Sequence, residues 1–234
     1  YQLDKSVFSD NVPFVGDFDG DGYSDVMMVP YKIQNTYPDD VEGKVYLNNC
    51  NGGFHDSPTT SILLPKNIEW IYVVDMNGDS KDDVILYEFN YNAETEDDDI
   101  VKLHLYMSKD GSFVKEASYS YNSNVALIPG KYMSDDEVGV LIVETYNKYG
   151  SKGKIEYVRI VDDRLTMTEV RNDGGINDED TDYLALDMNG DGINELMTLY
   201  DDGYKLFRMV WDAYYSFEMY TYGSDVTMDS YLFP

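Results

Sequence analysis

Three short stretches of this chain repeat one arrangement of oxygen-bearing side chains. "DFDGDGYSD" puts Asp17, Asp19, Asp21 and Asp25 at positions 1, 3, 5 and 9 of a nine-residue stretch. "DMNGDSKDD" puts Asp75, Asn77, Asp79 and Asp83 at the same positions, and "DMNGDGINE" does so with Asp187, Asn189, Asp191 and Glu195. Each stretch runs directly into apolar sequence, "VMMV", "VILY" or "LMTLY". Carboxylates packed this densely beside a segment that must be buried repel one another, so a counter-charge is expected at the centre of each loop. With the backbone carbonyl of position 7 (Tyr23, Lys81 or Ile193) turned inward, the set offers the about six oxygens that Ca²⁺ takes. Gly20 and Gly22 permit the positive φ values that such wrapping needs. An ordinary acidic turn is the alternative for any one copy, since Asp-Gly pairs are common in turns; three copies at identical offsets favour the metal. An EF-hand is excluded, because it needs a bidentate Glu at position 12 and flanking helices. Position 12 here is Met28, Leu86 or Thr198, followed by β-rich sequence.

The spacing of the copies sets the architecture. Asp17 and Asp75 are 58 residues apart and Asp75 and Asp187 are 112 apart, two intervals of 56, so a further copy is expected near residue 131. "VALIPGKYMSDDEVGVLIVETY" lies there and keeps the apolar flanks, with Lys131 at position 1, Met133 at position 3 and Gly139 at position 9. The unit persists without its ligands. In that loop Lys131 is expected to place its ammonium where the cation would sit, paired with Asp135 or Asp136. A period in the fifties, kept by a unit that has lost its metal, signals a repeat architecture in which each unit buries its faces against its neighbours.

Strand signals recur inside each unit. A first strand enters the loop and a second leaves it, the latter apolar enough to be buried on both faces. A third alternates, as in "KVYLNN", "KLHLYM", "KIEYVRI" and "YKLFRM", and turns through "NGGF" or "DGSF" into a more polar fourth such as "KEASYSYN". Four strands per unit of this length make the blade of a β-propeller. With no sustained helical period, the chain reads as all-β, with four blades at about 10–66, 67–123, 124–180 and 181–225. Residues 1–8 fall in a fourth-strand slot and 226–234 look like another first strand. Two explanations compete for these ends: four blades closing on themselves, or a segment of a larger propeller, which is the expectation adopted here.

"GDFDGDGYSDVMMV", "VDMNGDSKDDVIL" and "LDMNGDGINELMTL", with "VYLNNCNGGF" as the strand-three turn, resemble the FG-GAP/VCBS repeats, known from the integrin α-subunit propeller and from secreted bacterial proteins. The resemblance implies a propeller whose metal loops join strands one and two on one face. It also implies that partners meet the opposite face, built from the connections between strands two and three. Those connections here are long and rich in tyrosine, "YKIQNTYPDDVEG", "NYNAETEDDD" and "ETYNKYGSKG", and tyrosine is favoured at interfaces. The family does not fix a function, because its blades serve adhesion, toxin assembly and carbohydrate-active enzymes.

Charge narrows the partners. Seventeen Lys and Arg against 45 Asp and Glu leave a net charge of −28, which argues against nucleic acid and anionic membrane surfaces. No apolar run approaches membrane-spanning length. The acidic runs "ETEDDDI" and "NDEDTD" read as solvated loops. Cys50 is the lone cysteine and reads as an incidental turn residue. His55 falls in a turn, and His104 reads as a mid-strand residue facing the same way as Lys102 and Tyr106. No catalytic motif stands out, so no catalytic residue is assigned and an enzyme is the less favoured reading.

The expectation is a calcium-binding, extracellular or cell-surface propeller module, with a periplasmic setting as the alternative, that binds a protein or carbohydrate ligand. A scaffold segment of a toxin-type repeat protein and a part of a polysaccharide-processing enzyme are the competing readings. Up to three Ca²⁺ are expected, with affinity falling from the first loop to the fourth-blade loop to the second, where Ser80 replaces a glycine.

Overall fold

The structure, a computed structural model, describes residues 10–30, 40–90, 100–109, 112–121, 124–134, 137–144, 154–161, 164–170, 182–200, 203–211 and 215–224. The terminal stretches 1–8 and 226–234, Asp135 and Asp136, most of each tyrosine-rich connection, and most of the two acidic runs lie outside them.

Among the described residues there is no helix. In the described residues sixteen strands form four antiparallel sheets of four, each a propeller-type blade in which neighbours in sequence are neighbours in the sheet. The first contains β1 (Asn11–Gly16), β2 (Asp25–Pro30), β3 (Val41–Tyr46) and β4 (Thr60–Leu64). The second contains β5 (Ile68–Val74), β6 (Asp83–Asn90), β7 (Ile100–Lys109) and β8 (Ser112–Tyr121). The third contains β9 (Val125–Gly130), β10 (Gly139–Glu144), β11 (Ile155–Val161) and β12 (Arg164–Glu169). The fourth contains β13 (Asp182–Leu186), β14 (Glu195–Tyr200), β15 (Gly203–Trp211) and β16 (Tyr215–Ser224). Sequential hairpins of this kind need only short connections and leave the loop between the first two strands free to carry a site.

The second strands are the apolar ones, and burial follows the pattern: β2 is buried from Asp25 to Val29, β6 from Asp83 to Glu88, and β10 from Gly139 to Val143. The chain divides into two compact units, Tyr1–Asn122 and Ser123–Pro234. In the first unit, Phe18, Met27, Val29, Val45, Ile62 and Leu64 of blade one pack with Ile68, Val84 and Leu86 of blade two. In the second, Ile128, Tyr132, Leu141, Val143, Ile155 and Tyr157 of blade three pack with Leu196, Phe207 and Met209 of blade four. Removing side chains of this size from water is the main stabilising term for both cores.

Candidate metal centre

Each acidic loop is closed by its own side chains, and all three are closed in the same way. The position 1 carboxylate accepts the N–H of position 4 through one oxygen (Gly20 to Asp17 2.8 Å, Gly78 to Asp75 2.7 Å, Gly190 to Asp187 2.6 Å). Its other oxygen accepts the N–H of position 6, from Gly22, Ser80 and Gly192, at 2.8, 2.9 and 2.8 Å. Position 3 accepts from position 5, where Asp19, Asn77 and Asn189 hold the N–H of Asp21, Asp79 and Asp191 at 3.1, 3.0 and 2.8 Å. Position 5 accepts from position 7, the N–H of Tyr23, Lys81 and Ile193, each at 2.9 Å. Side-chain acceptors that fold the backbone back on itself are what aspartate and asparagine supply in tight turns. Positions 4 and 6 take positive φ in every copy: 78° and 83° at Gly20 and Gly22, 74° and 67° at Gly78 and Ser80, 79° and 85° at Gly190 and Gly192.

Position 9 plays a different part. Asp25, Asp83 and Glu195 are buried, at 1%, 0% and 0% exposure. Each accepts the N–H of position 2, from Phe18 at 2.8 Å, Met76 at 2.9 Å and Met188 at 3.0 Å. The other oxygen of Asp25 takes the N–H of Asn48 and that of Asp83 the N–H of Ser108, which ties the loop to the third strand's end. Glu195, one methylene longer, takes the side-chain amide of Asn189 instead.

In the first loop, Asp17, Asp19 and Asp21 each bring one carboxylate oxygen to within 4.8 Å of the others. Burial, with the charges of Asp21 and Asp17, pushes the Asp19 carboxyl up. Burial pushes up Asp25 as well, and Asp83 to about 7, with the neighbouring loop carboxylates adding to it. In each of these carboxyls burial outweighs the backbone N–H bonds that favour the charged form. The donor set is hard oxygen only, and a carboxylate oxygen with one N–H bond keeps a further lone pair. The residues therefore fit a hard divalent cation: Asp17, Asp19 and Asp21 would hold it directly, and Asp25 frames the base. In the second and fourth loops Asn77 and Asn189 replace one carboxylate of that trio by an amide.

The third strand's end reaches over each loop differently. Cys50, at φ 56°, donates its thiol to Asp21 Oδ2 at 3.1 Å; that bond and the nearby carboxylates push the thiol's pKa up. Arg208 donates to Asp191 Oδ2 at 2.9 Å. The N–H of Ile193 above all, with Arg208 adding its charge, holds the Asp191 carboxyl below its ordinary value. In the third blade Arg159 spans both oxygens of Glu137, at 2.9 and 3.0 Å, a guanidinium–carboxylate pair in the loop that has no acid at position 1 or 9. Lys131 there donates its backbone N–H to the side-chain oxygen of Asn194 at 2.6 Å.

A second polar assembly was not visible in the sequence. Asn67, Asn90, Glu88, His104 and Ser118 form a continuous run of hydrogen bonds across blade two, with successive contacts of 2.7, 2.8, 2.6 and 2.9 Å. His104 faces Glu88 through Nε2 and Ser118 through Nδ1. Burial lowers the His104 pKa, against the bond to Glu88. For Glu88 burial works upward, but the bonds from His104 and Asn90 and the charge of Lys102 outweigh it and hold the carboxyl low. The assignment that fits is an Nε2–H donated to an ionised Glu88, with Nδ1 accepting the Ser118 hydroxyl. A buried polar run in which each group meets a partner fastens the strands that carry it.

Residues 17–86, which contain the first two acidic loops, match the family model of the FG-GAP-like repeat. Two solved structures are similar to the chain. One is the Bacillus licheniformis rhamnogalacturonan lyase PL11, with TM-score 0.53 and 19% identity over 82% of this chain and 40% of the lyase. The other is the exotype rhamnogalacturonan lyase YesX, with TM-score 0.50 and 15% identity over 82% of this chain and 39% of the lyase. The chain thus spans about two fifths of either lyase's length. Among curated protein sequences, none matches it.

Proposed function

We propose that this chain is a Ca²⁺-bound β-propeller segment of an extracellular or cell-surface protein, acting as an interaction module for a carbohydrate or protein ligand. The observation that carries the metal half is the convergence of Asp17, Asp19 and Asp21 within 4.8 Å, in a loop whose hydrogen bonds recur in two further blades. The cation's part is structural: it supplies the positive charge that lets three carboxylates share one turn. The extracellular setting is supported by the weak, millimolar-range Ca²⁺ sites that extracellular modules use.

The ligand half rests on the fold. Rigid blades present connecting segments as a binding surface, and the net charge of −28 favours neutral or cationic partners over polyanions. A glycan and protein array probed in Ca²⁺ and again in EDTA tests this reading, with reproducible Ca²⁺-dependent binding to one class of ligand expected. A second reading, a portion of a polysaccharide-processing enzyme, is favoured by the shared fold with two rhamnogalacturonan lyases. Incubating the chain with rhamnogalacturonan and following cleavage separates the two: turnover supports the second reading, binding without turnover the first.

A further inference from the structure

Position 8 of the acidic loops makes a contact that neither the ligand set nor the blade's own hydrogen-bond ladder requires. Asp82, at position 8 of the second loop, donates its N–H to the carbonyl of Asp17 at 2.6 Å. Its carboxylate Oδ2 accepts the N–H of Asp17 at 2.7 Å. Both backbone groups of the first ligand in loop one are thus held by one residue of blade two. The second unit repeats the arrangement with Asn194 and Lys131: Asn194 N–H to Lys131 O at 2.6 Å, and Lys131 N–H to Asn194 Oδ1 at 2.6 Å.

The residue before position 1 is shaped to admit this clasp. A Cβ on Gly16 would come within 2.6 Å of Val73 Cγ1 and 3.0 Å of Asp82 Oδ2, and one on Gly130 within 3.0 Å of Asn194 Oδ1. Two other contacts bind the first loop to the second blade. Ser108 donates its hydroxyl to the carbonyl of Phe18 at 2.6 Å, and the stem of Lys81 lies so close to Gly20 that a Cβ there would meet Lys81 Cγ at 2.9 Å.

We infer that Asp82, which is not one of the ligand positions, is a positioning residue for the first cation loop: blade two sets the affinity of the site in blade one by fixing the backbone of Asp17. This rests on the cation reading of that loop. In both units the clasp fastens one blade to the next, and only in the first unit does it land on a ligand. Fixing Asp17 at both its N–H and its carbonyl limits the turn to the arrangement in which Asp17, Asp19 and Asp21 converge, so the ordering is in place before the cation arrives.

The test uses the full chain carrying Asp75→Asn, Asp79→Asn and Asp187→Asn, which leaves the first loop as the intact acidic site. In this background Asp82→Asn and Asp82→Ala carry the same charge and differ in the acceptor, and Asn194 shows that an asparagine can make the clasp. Tb³⁺ luminescence with Ca²⁺ competition reads affinity, hydrogen exchange reads the Asp17 amide, and metal-free melting curves report folding. Asp82→Asn is expected to keep the affinity within about twofold and the Asp17 amide protected. Asp82→Ala is expected to expose that amide and weaken binding about fivefold, the scale of one ordinary hydrogen bond lost. Equal affinities in the two variants overturn the inference, as does an exposed Asp17 amide with unchanged affinity. If the background chain binds no Tb³⁺, the cation reading of the first loop falls, and the positioning role falls with it.

Discussion

The ring of Tyr157 lies across Gly139, so close that a Cβ at Gly139 would stand 2.4 Å from Tyr157 Cε2. Gly139 occupies position 9 of the third loop, where the other loops carry Asp25, Asp83 and Glu195. Its neighbour two residues on, Leu141, pairs with Tyr157 in the register that pairs Met27 with Val45 and Ile85 with Leu105. Blade three has thus placed a tyrosine where other blades carry smaller aliphatic side chains, and the ring fills the space that a position 9 carboxylate needs. Tyr157 also meets Tyr132 edge-on at 5.9 Å, which anchors the loop through packing, as the Glu137–Arg159 pair does through charge.

Gly139→Ala should therefore destabilise the second unit by about 1–3 kcal/mol, the range for forcing extra volume into a packed site. Pairing it with Tyr157→Val should recover part of that loss. Chemical denaturation of the two single variants and the double variant measures the coupling; simple additivity would contradict the account of why this loop lacks its acid.

Arg208 competes with any cation for Asp191. Arg208→Gln should raise the Ca²⁺ affinity of the fourth-blade loop about threefold, because a partly exposed charge acts through largely screened solvent. Titration calorimetry on a chain whose first and second loops are disabled checks it, and an unchanged or lower affinity would count against the pairing.

Ser80 holds φ at 67° where the other two loops use glycine. A non-glycine residue in the left-handed region carries a cost of about 1 kcal/mol, partly offset because glycine has more freedom to lose on folding. Ser80→Gly should tighten the second loop's Ca²⁺ binding by up to about fivefold and leave the first loop's unchanged. Weaker binding would show that the serine hydroxyl serves the site.

Glu88 and His104 both have pKa values below their ordinary ones, which fixes the sign of their pH effect. A group with a lowered folded pKa stabilises the fold above its unfolded value and loses that contribution as pH falls through the folded one. His104 thus weakens the first unit as pH drops below about 6.5, and Glu88 does so below about 4.5. His104→Gln should lose less stability than the parent between neutral pH and pH about 5. NMR titration of the His104 ring should give a pKa below about 6.5, and a higher value would reverse the sign.

Much of this was legible because it is local. The offsets within "DFDGDGYSD" and its copies state the turn and its acceptors, since each bond joins residues a few positions apart. The apolar run after each loop marks the buried second strand. What stayed hidden depends on register or on a neighbouring blade. Nothing in the sequence around Asp82 points to Asp17, 65 residues away. His104 faces Lys102's side of its strand as expected, but its contacts with Glu88 and Ser118 exist only once β6, β7 and β8 are aligned. Arg208 and Cys50 reach Asp191 and Asp21 from strand-three positions that differ between blades, so no fixed spacing announces them. The carbonyls of Tyr23, Lys81 and Ile193, expected as ligands, lie at position 7, whose N–H groups are all held by position 5.

Calorimetric titration of the EDTA-stripped full chain with Ca²⁺, alongside melting curves with and without the ion, tests whether the three acidic loops hold the cation. Saturable binding at up to three sites is expected, abolished when Asp17, Asp75 and Asp187 are together replaced by asparagine. A higher melting temperature in Ca²⁺ is also expected, because a ligand bound only by the folded form stabilises it. No heat of binding and identical melts in Ca²⁺ and EDTA would contradict these expectations.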